Sequence, residues 1–424
     1  MAERGRLATV LKLEPGEFAP VGWSFAYFFC LLCGYYILRP VRDEMGIQGG
    51  VDALAWVFSG TFLLMLAVVP LFGWAVARFS RRGLVTASYG FFIANLLLFF
   101  VLMRLDVAPA WVARAFFVWV SVFNLFVISL FWSVMNDVFS QTQALRLFGL
   151  IAAGGSVGAI AGPGLTTILA ERIGPINLLP LSALFLAAAV GCALAVMASP
   201  GARAARGRAS ERVRGESVWA GATHVARSPY LLGICFFVVF YSALSTFLYF
   251  EQARIVQDAF SSSAQRTQVF AVMDLATNTL TLSLQFFATA RLVAWLGLPF
   301  ALALIPLAVA AGFGLLGLAP TLTVLVVFQV IRRAGNYAIT KPAREMLFSV
   351  VSAEDKYKAK NFIDTVVYRG GDAASGWLFT GLSALGLGLA ALAFAAVPLA
   401  VLWAGVGIAL GRARIQHEES TVSR

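Results

Sequence analysis

The chain has 424 residues, 60% hydrophobic and 12% charged, with a formal net charge of +11. A soluble surface carries about twice that share of charged residues, so the polypeptide belongs in a bilayer, and the basic excess is read as membrane topology rather than as a nucleic-acid footprint. Four cysteines and two histidines supply neither a metal cluster nor a Ser/His/Asp set, which points away from an enzyme and leaves no cofactor or metal to expect.

Runs of 18 or more apolar residues predict an all-α membrane protein with twelve transmembrane helices. Six are expected near 21–38, 53–77, 84–103, 110–134, 148–170 and 175–198, and six more near 230–250, 268–290, 293–318, 320–340, 361–383 and 386–410. Transmembrane strands would alternate apolar and polar residues, and these runs do not. The predicted organisation is a cytoplasmic tail (1–20), a six-helix half (21–198), a basic cytoplasmic linker (199–229), a second six-helix half (230–410) and a cytoplasmic tail (411–424). With the N-terminus inside, 24 Lys and Arg fall in cytoplasmic segments and 7 outside, the bias expected of a multi-pass protein with both termini cytoplasmic. The acidic residues Glu3, Glu14 and Glu17 interrupt any positive leader, so no cleavable signal is predicted.

Taken in chain order, the first polar feature closes span 1: Arg39-Pro40-Val41-Arg42-Asp43-Glu44. Pro40 is expected to distort the helix beside two guanidinium groups, a place suited to a carboxylate or phosphate; the alternative is a solvated outer loop in which the arginines merely pair with Asp43 and Glu44. Between spans 2 and 3 lies Gly73-Trp-Ala-Val-Ala77-Arg78-Phe-Ser-Arg81-Arg82. With the six-plus-six layout it resembles the signature loop of the major facilitator transporters, although Ala77 stands where that superfamily has an acidic residue. Asn136 and Asp137 end span 4 as helix glue or as a substrate contact.

Span 5 carries Gly154, Gly158 and Gly162 at four-residue spacing, followed by Pro163. The spacing lets another helix approach closely; Gly158-x-x-x-Gly162-Pro163 also resembles a motif of major facilitator antiporters. Asp274 and Asn278 form a small polar stripe on span 8. Seven cations crowd residues 332–360, a stretch readable as a loop or as a broken helix. Lys341 before Pro342, and Lys360 with Asp364 at i, i+4 spacing, are candidates for a cavity wall. In span 11, Arg369 is expected to face a central cavity or to be clamped by Asp364 and Asp372, because ionisable groups at this depth are costly unless paired.

The charged segments are similar to those of the plastid and intracellular-parasite ATP/ADP translocases. Tyr35-Tyr36-Ile37-Leu38-Arg39 with Arg42-Asp43 follows their Tyr-Thr-Ile-Leu-Arg-Asp-Thr-Lys-Asp pattern. Lys341-Pro342-Ala343-Arg344-Glu345-Met346, then Lys358-Ala359-Lys360, Ile363-Asp364 and the glycines after Arg369 repeat their Lys-Glu-Met, Lys-Gly-Lys-Ala-Ala-Ile-Asp and Gly-Lys-Ser-Gly-Gly signatures in order. Gln143-Ala144-Leu145-Arg146-Leu147-Phe148 matches Glu-Ala-Lys-Arg-Phe-Tyr more loosely. The resemblance implies an exchanger acting on ATP/ADP or another phosphorylated anion; with an Ala/Arg-rich composition that looks bacterial, a divergent bacterial member is expected, a monomer in the inner membrane in contact with lipid but not nucleic acid. It implies substrate-binding roles for Arg39, Arg42, Lys341, Arg344, Lys360 and Arg369, and acidic partners at Asp43, Glu345 and Asp364. The competing readings are a proton-coupled carrier of another organic anion or an anionic lipid, with the proton on Asp274, Asp364 or Asp372, and a non-transporting receptor or scaffold.

Overall fold

The computed structural model describes residues 13, 14, 16–199 and 220–422, without the side chains of 77, 220, 221, 293, 353–357 and 420–422. The first part of the expected N-terminal tail and most of the expected linker therefore lie outside the described residues. Among those described, all regular structure is helical. The first six rods are α1 (Phe18–Gln48), α2 (Leu54–Arg78), α3 (Arg81–Arg104), α4 (Pro109–Val138), α5 (Gln141–Ile173) and α6 (Leu178–Ala198). A two-turn helix, Ala220–Arg227, precedes α7 (Pro229–Ala259), α8 (Ser263–Phe287) and α9 (Thr289–Leu318).

Each of the next two rods is built of two α-helical pieces joined through a π-turn. In α10 these are Leu322–Gly335, the turn Asn336–Thr340, and Lys341–Leu347. In α11 they are Ala353–Phe362, the turn Ile363–Val367, and Tyr368–Ala384. The last rod is α12 (Leu389–Val422).

Local chemistry sets the helix ends. Ser140 begins α5 in a reciprocal capping box with Gln143 (3.0 and 3.3 Å), and Ser80, Ser228 and Thr321 each accept from an amide in the first turn of α3, α7 and α10. Nine helices among the described residues are long and apolar enough to cross a bilayer. Rods α8, α10 and α11 complete the set of twelve; they have the length of a span but carry the polar groups considered below.

The structure corrects several expectations about these rods. Span 1 does not end or break at Pro40: α1 continues to Gln48, so Arg39 to Glu44 lie inside a helix, as membrane helices allow when neighbours re-satisfy the freed backbone. The stretch 332–360 is mostly helix, interrupted by the 3₁₀ turn Phe348–Val350 and the two residues after it. Span 10 thus extends to Leu347 and span 11 begins at Ala353. Rod α9 bends at Gly297, whose φ of 73° suits glycine alone, and α12 runs on through the expected tail to Val422.

Contacts divide the chain into two compact units. One contains α1, α2 from Ala67 on, α3 to α6, and Ser262–Leu275 at the start of α8; the other contains Gly50–Leu66, α7, the remainder of α8, and α9 to α12. In the first, α1 is central, packing on α4, α5 and α6, and Phe28 stacks on Phe131 at 4.1 Å. In the second, α9 packs along α12 and α7 lies against α11 and α12, with Trp403 buried beside Phe237 and Tyr241.

Candidate functional site

In the first unit the α1–α5 seam is built from the glycine stripe. A Cβ at Gly154, Gly158 or Gly162 would fall 2.4, 2.5 or 2.6 Å from the carbonyl oxygen of Phe25, Phe29 or Cys33, so only glycine allows this approach. Pro163 is buried on the same helix. That packing holds α1 so that its charged end meets the start of α8. There Glu44, with no exposed surface, accepts two hydrogen bonds from Arg266, both 2.7 Å, and a third from Gln48 at 3.1 Å. One turn earlier, Arg39 lies 3.4 Å from Asp274, which is 1% exposed, while Arg42 pairs with neighbouring Asp43 at 2.6 Å and covers the Phe117 ring. The pairing is thus partly the one expected of a loop, but it occurs within a buried helix, and Asp274 of the expected polar stripe is an ion-pair partner of Arg39.

Elsewhere in this unit the signature loop is tied down by Arg81, which pairs with Asp137 at the end of α4, while Arg78 and Arg82 are exposed. Arg146 of α5 grips Glu17, just ahead of α1, at 2.8 and 2.9 Å, and Gln143 donates to the same carboxylate at 2.8 Å. Burial alone would raise the Glu17 pKa. The amide of Glu14, Gln143 and Arg146 more than offset that and hold it below the usual carboxylate value.

In the second unit the cations of α10 and α11 cross-pair. Arg344 meets Asp364 at 3.0 Å and Lys360 meets Glu345 at 2.6 Å, so the two residues offered together for a cavity wall each pair with a group of α10. These contacts neutralise the charge that made the stretch look like a loop. Lys341 is exposed, its ammonium 5.5 Å from the centre of the Tyr337 ring. The expected clamp of Arg369 by two aspartates reduces to one: Arg369 lies 3.5 Å from Asp372, which also accepts from Ser242 (2.7 Å) and Thr246 (3.3 Å) of α7.

Deeper in α10, Arg332 is 7% exposed and held only by neutral groups. It donates to Ser245 at 2.6 Å and to Gln329 at 2.8 and 3.2 Å, and Gln329 in turn donates to Gln252. Among the described residues no carboxylate lies within 4 Å of this guanidinium. Around it stand Tyr241, Tyr337 and Tyr368. Tyr241 stacks with Tyr368 at 5.9 Å and its hydroxyl accepts from Asn336. The π-turn Asn336–Thr340 begins one turn after Arg332, and such turns often mark functional places in helices.

A family model described as Major Facilitator Superfamily matches residues 24–353. The chain belongs to the major facilitator superfamily. It is therefore a multi-pass membrane transporter and not an enzyme. Solved structures with the same fold include the nucleoside transporter NupG, 14% identical with a TM-score of 0.64, covering 95% of this chain and 99% of that one. Others are a bacterial homolog of the human lysosomal transporter Spinster (15%, 0.59, 95% and 98%) and the human organic anion transporter MFSD10, or TETRAN (17%, 0.57, 93% and 100%). No curated protein matches the sequence.

Within this major facilitator fold, the candidate residues divide between the units. Arg39, Arg42, Asp43 and Asp274 gather in the first; Arg344, Glu345, Lys360 and Asp364 form one cluster in the second, and Arg369 with Asp372 another. Reading the sequence missed Arg332 as distinct from its neighbours, and missed the α7 residues Ser242, Ser245, Thr246, Glu251 and Gln252. Ser242 and Thr246 at i, i+4 spacing were the available signal, since they lie on one face of the helix within a largely apolar run.

Proposed function

We propose that the protein is a secondary active transporter that exchanges nucleotides or related phosphorylated anions by alternating access. In this reading it lies in a bacterial inner membrane with both termini cytoplasmic. The observation that carries it is Arg332, a buried cation whose hydrogen-bond partners among the described residues are all neutral. A cation at membrane depth is costly unless an opposite charge is supplied, and a phosphorylated substrate supplies one to a planar guanidinium that binds such oxygens in pairs. Arg39, Arg42, Arg344, Lys360 and Arg369 each have a carboxylate in place, so an anion would have to displace it. Arg332 requires no such exchange. The ATP/ADP translocase-like segments at 35–43 and 341–372 support nucleotides as the first substrates to try.

The test is counterflow in proteoliposomes holding unlabelled ATP, ADP, another nucleotide or phosphate, with entry of labelled ATP followed in each. Entry should depend on internal nucleotide. Loss of charge-assisted hydrogen bonds worth about 1.5–3 kcal/mol should make Arg332→Gln about 10- to 100-fold slower at limiting substrate. Labelled ATP that enters regardless of the internal solute, or equally fast through the variant, would overturn the proposal.

A further inference from the structure

Six acidic residues are buried among those described: Glu17, Asp43, Glu44, Glu251, Asp274 and Asp372. Five have an arginine nitrogen within 4 Å, at 2.8, 2.6, 2.7, 3.4 and 3.5 Å respectively for Glu17, Asp43, Glu44, Asp274 and Asp372. Glu251 has none. It has no exposed surface, and neither of its carboxyl oxygens has a hydrogen-bond partner among the described residues. An ionised carboxylate so placed would carry the whole desolvation cost uncompensated. The group therefore sits here as the neutral acid.

A charge partner is nevertheless one turn away. Arg254 lies three residues further along α7, on the same side of the helix. It is occupied by other groups of its unit: Ser383 at 3.0 Å, Asp52 at 3.7 Å and the face of Phe379 at 5.3 Å. The remaining charged groups on elements packed against α7 are engaged or distant along it. Asp372 and Arg369 of α11 are paired with each other at Ser242 and Thr246. Arg332 of α10 is reached only through Gln329 and Gln252. His417 of α12 meets Tyr230 edge-on at the opposite end of α7, the end where His224, Arg227, Arg412 and Arg414 also lie.

We propose that Glu251 is a proton-binding site of the transport cycle, protonated in the conformation described here and ionised in another in which Arg254 has left its present partners. In the step, the Oε–H bond breaks as its proton passes to water, and the carboxylate pairs with Arg254; the reverse step re-forms the bond, and nothing is oxidised or reduced. The carboxyls that sequence reading offers as proton carriers, Asp274, Asp364 and Asp372, already have cationic or hydroxyl partners. The proposal rests on the transporter reading but not on nucleotide as substrate.

Its test has one arm without substrate and one with. In the purified full-length protein, infrared difference spectra in H₂O and D₂O should show a protonated-carboxyl carbonyl band that declines as pH is raised and is missing from Glu251→Gln. In proteoliposomes loaded with unlabelled ATP, the acceleration of labelled ATP entry by an imposed pH gradient should fall at least tenfold in Glu251→Gln. Glutamine mimics the neutral acid, so the variant should fold. A band that persists in Glu251→Gln, a band that does not titrate, or undiminished acceleration by the gradient would each overturn the assignment. If wild-type protein carries no ATP, the nucleotide reading fails and the infrared titration still decides for Glu251.

Discussion

Removing Arg266 should destabilise the first unit more than removing both members of its ion pair. Glu44 is wholly buried and receives both Arg266 donors at 2.7 Å, with Gln48 as its third hydrogen bond. Arg266→Met would leave that carboxylate with Gln48 alone, and stranding a buried charge costs about 3–5 kcal/mol. The double variant Glu44→Gln, Arg266→Met removes both charges and keeps similar volumes, so it should recover most of the loss, and replacement of whole buried pairs is often close to neutral. The assay is a double-mutant cycle on purified protein, following the fraction folded by tryptophan fluorescence or monodispersity on heating. The expected order of stability is wild type, close to the double variant, both well above Arg266→Met. If Arg266→Met costs less than about 1 kcal/mol, a value typical of a solvated pair, or if the double variant is no better than the single, Glu44 does not occupy the dry environment described here.

Three other outcomes are expected. Arg332→Met should lose transport while stability is unchanged or raised by about 1 kcal/mol, because it removes a buried cation that has no carboxylate within 4 Å among the described residues; a clear drop in melting temperature would assign Arg332 to structure instead. Gly158→Leu places a Cβ 2.5 Å from the Phe29 carbonyl oxygen, an overpacking expected to cost about 1–3 kcal/mol or more, whereas Gly164→Ala meets nothing within 4 Å; equal expression and melting of the two would refute the seam. The Glu17 carboxyl, held below its usual 4.5, contributes stability that is fully present above pH 4.5 and is lost as pH falls through the lower folded-state value. Stability of Glu17→Gln should accordingly change less than wild type between pH 5 and the acid limit, a comparison made by melting across that range.

Span number and helical class were legible because hydropathy over about 20 residues is a property of one segment alone. Partnership is a property of two. Nothing near Arg39 indicates that Asp274, more than 200 residues on, lies against it, and Arg266 reads as one more loop arginine until Glu44 is found beneath it. The same limit hid the lower part of α10: Lys341, Arg344 and Glu345 suppress local hydropathy, yet Asp364 and Lys360 neutralise two of them across the interhelical gap. The glycine stripe of α5 could be read because its four-residue period matches the helix and needs no knowledge of the partner. Glu251 escaped notice because it follows directly on the last residue of the predicted span.

The two π-turns, Asn336–Thr340 and Ile363–Val367, give those helices an unusual tolerance. A π-turn is an α-helix carrying one residue too many, and each residue turns a helix by about 100°. Deleting one residue inside either segment would restore the ordinary hydrogen-bond ladder rather than break it. It would also swing everything beyond, Arg344 and Glu345 in one rod and Arg369 and Asp372 in the other, by about a quarter turn relative to what precedes. Related chains can thus re-aim a whole set of charged side chains by losing one codon, with no substitution at any of them, and single-residue gaps at these two places in an alignment would carry information about what is transported.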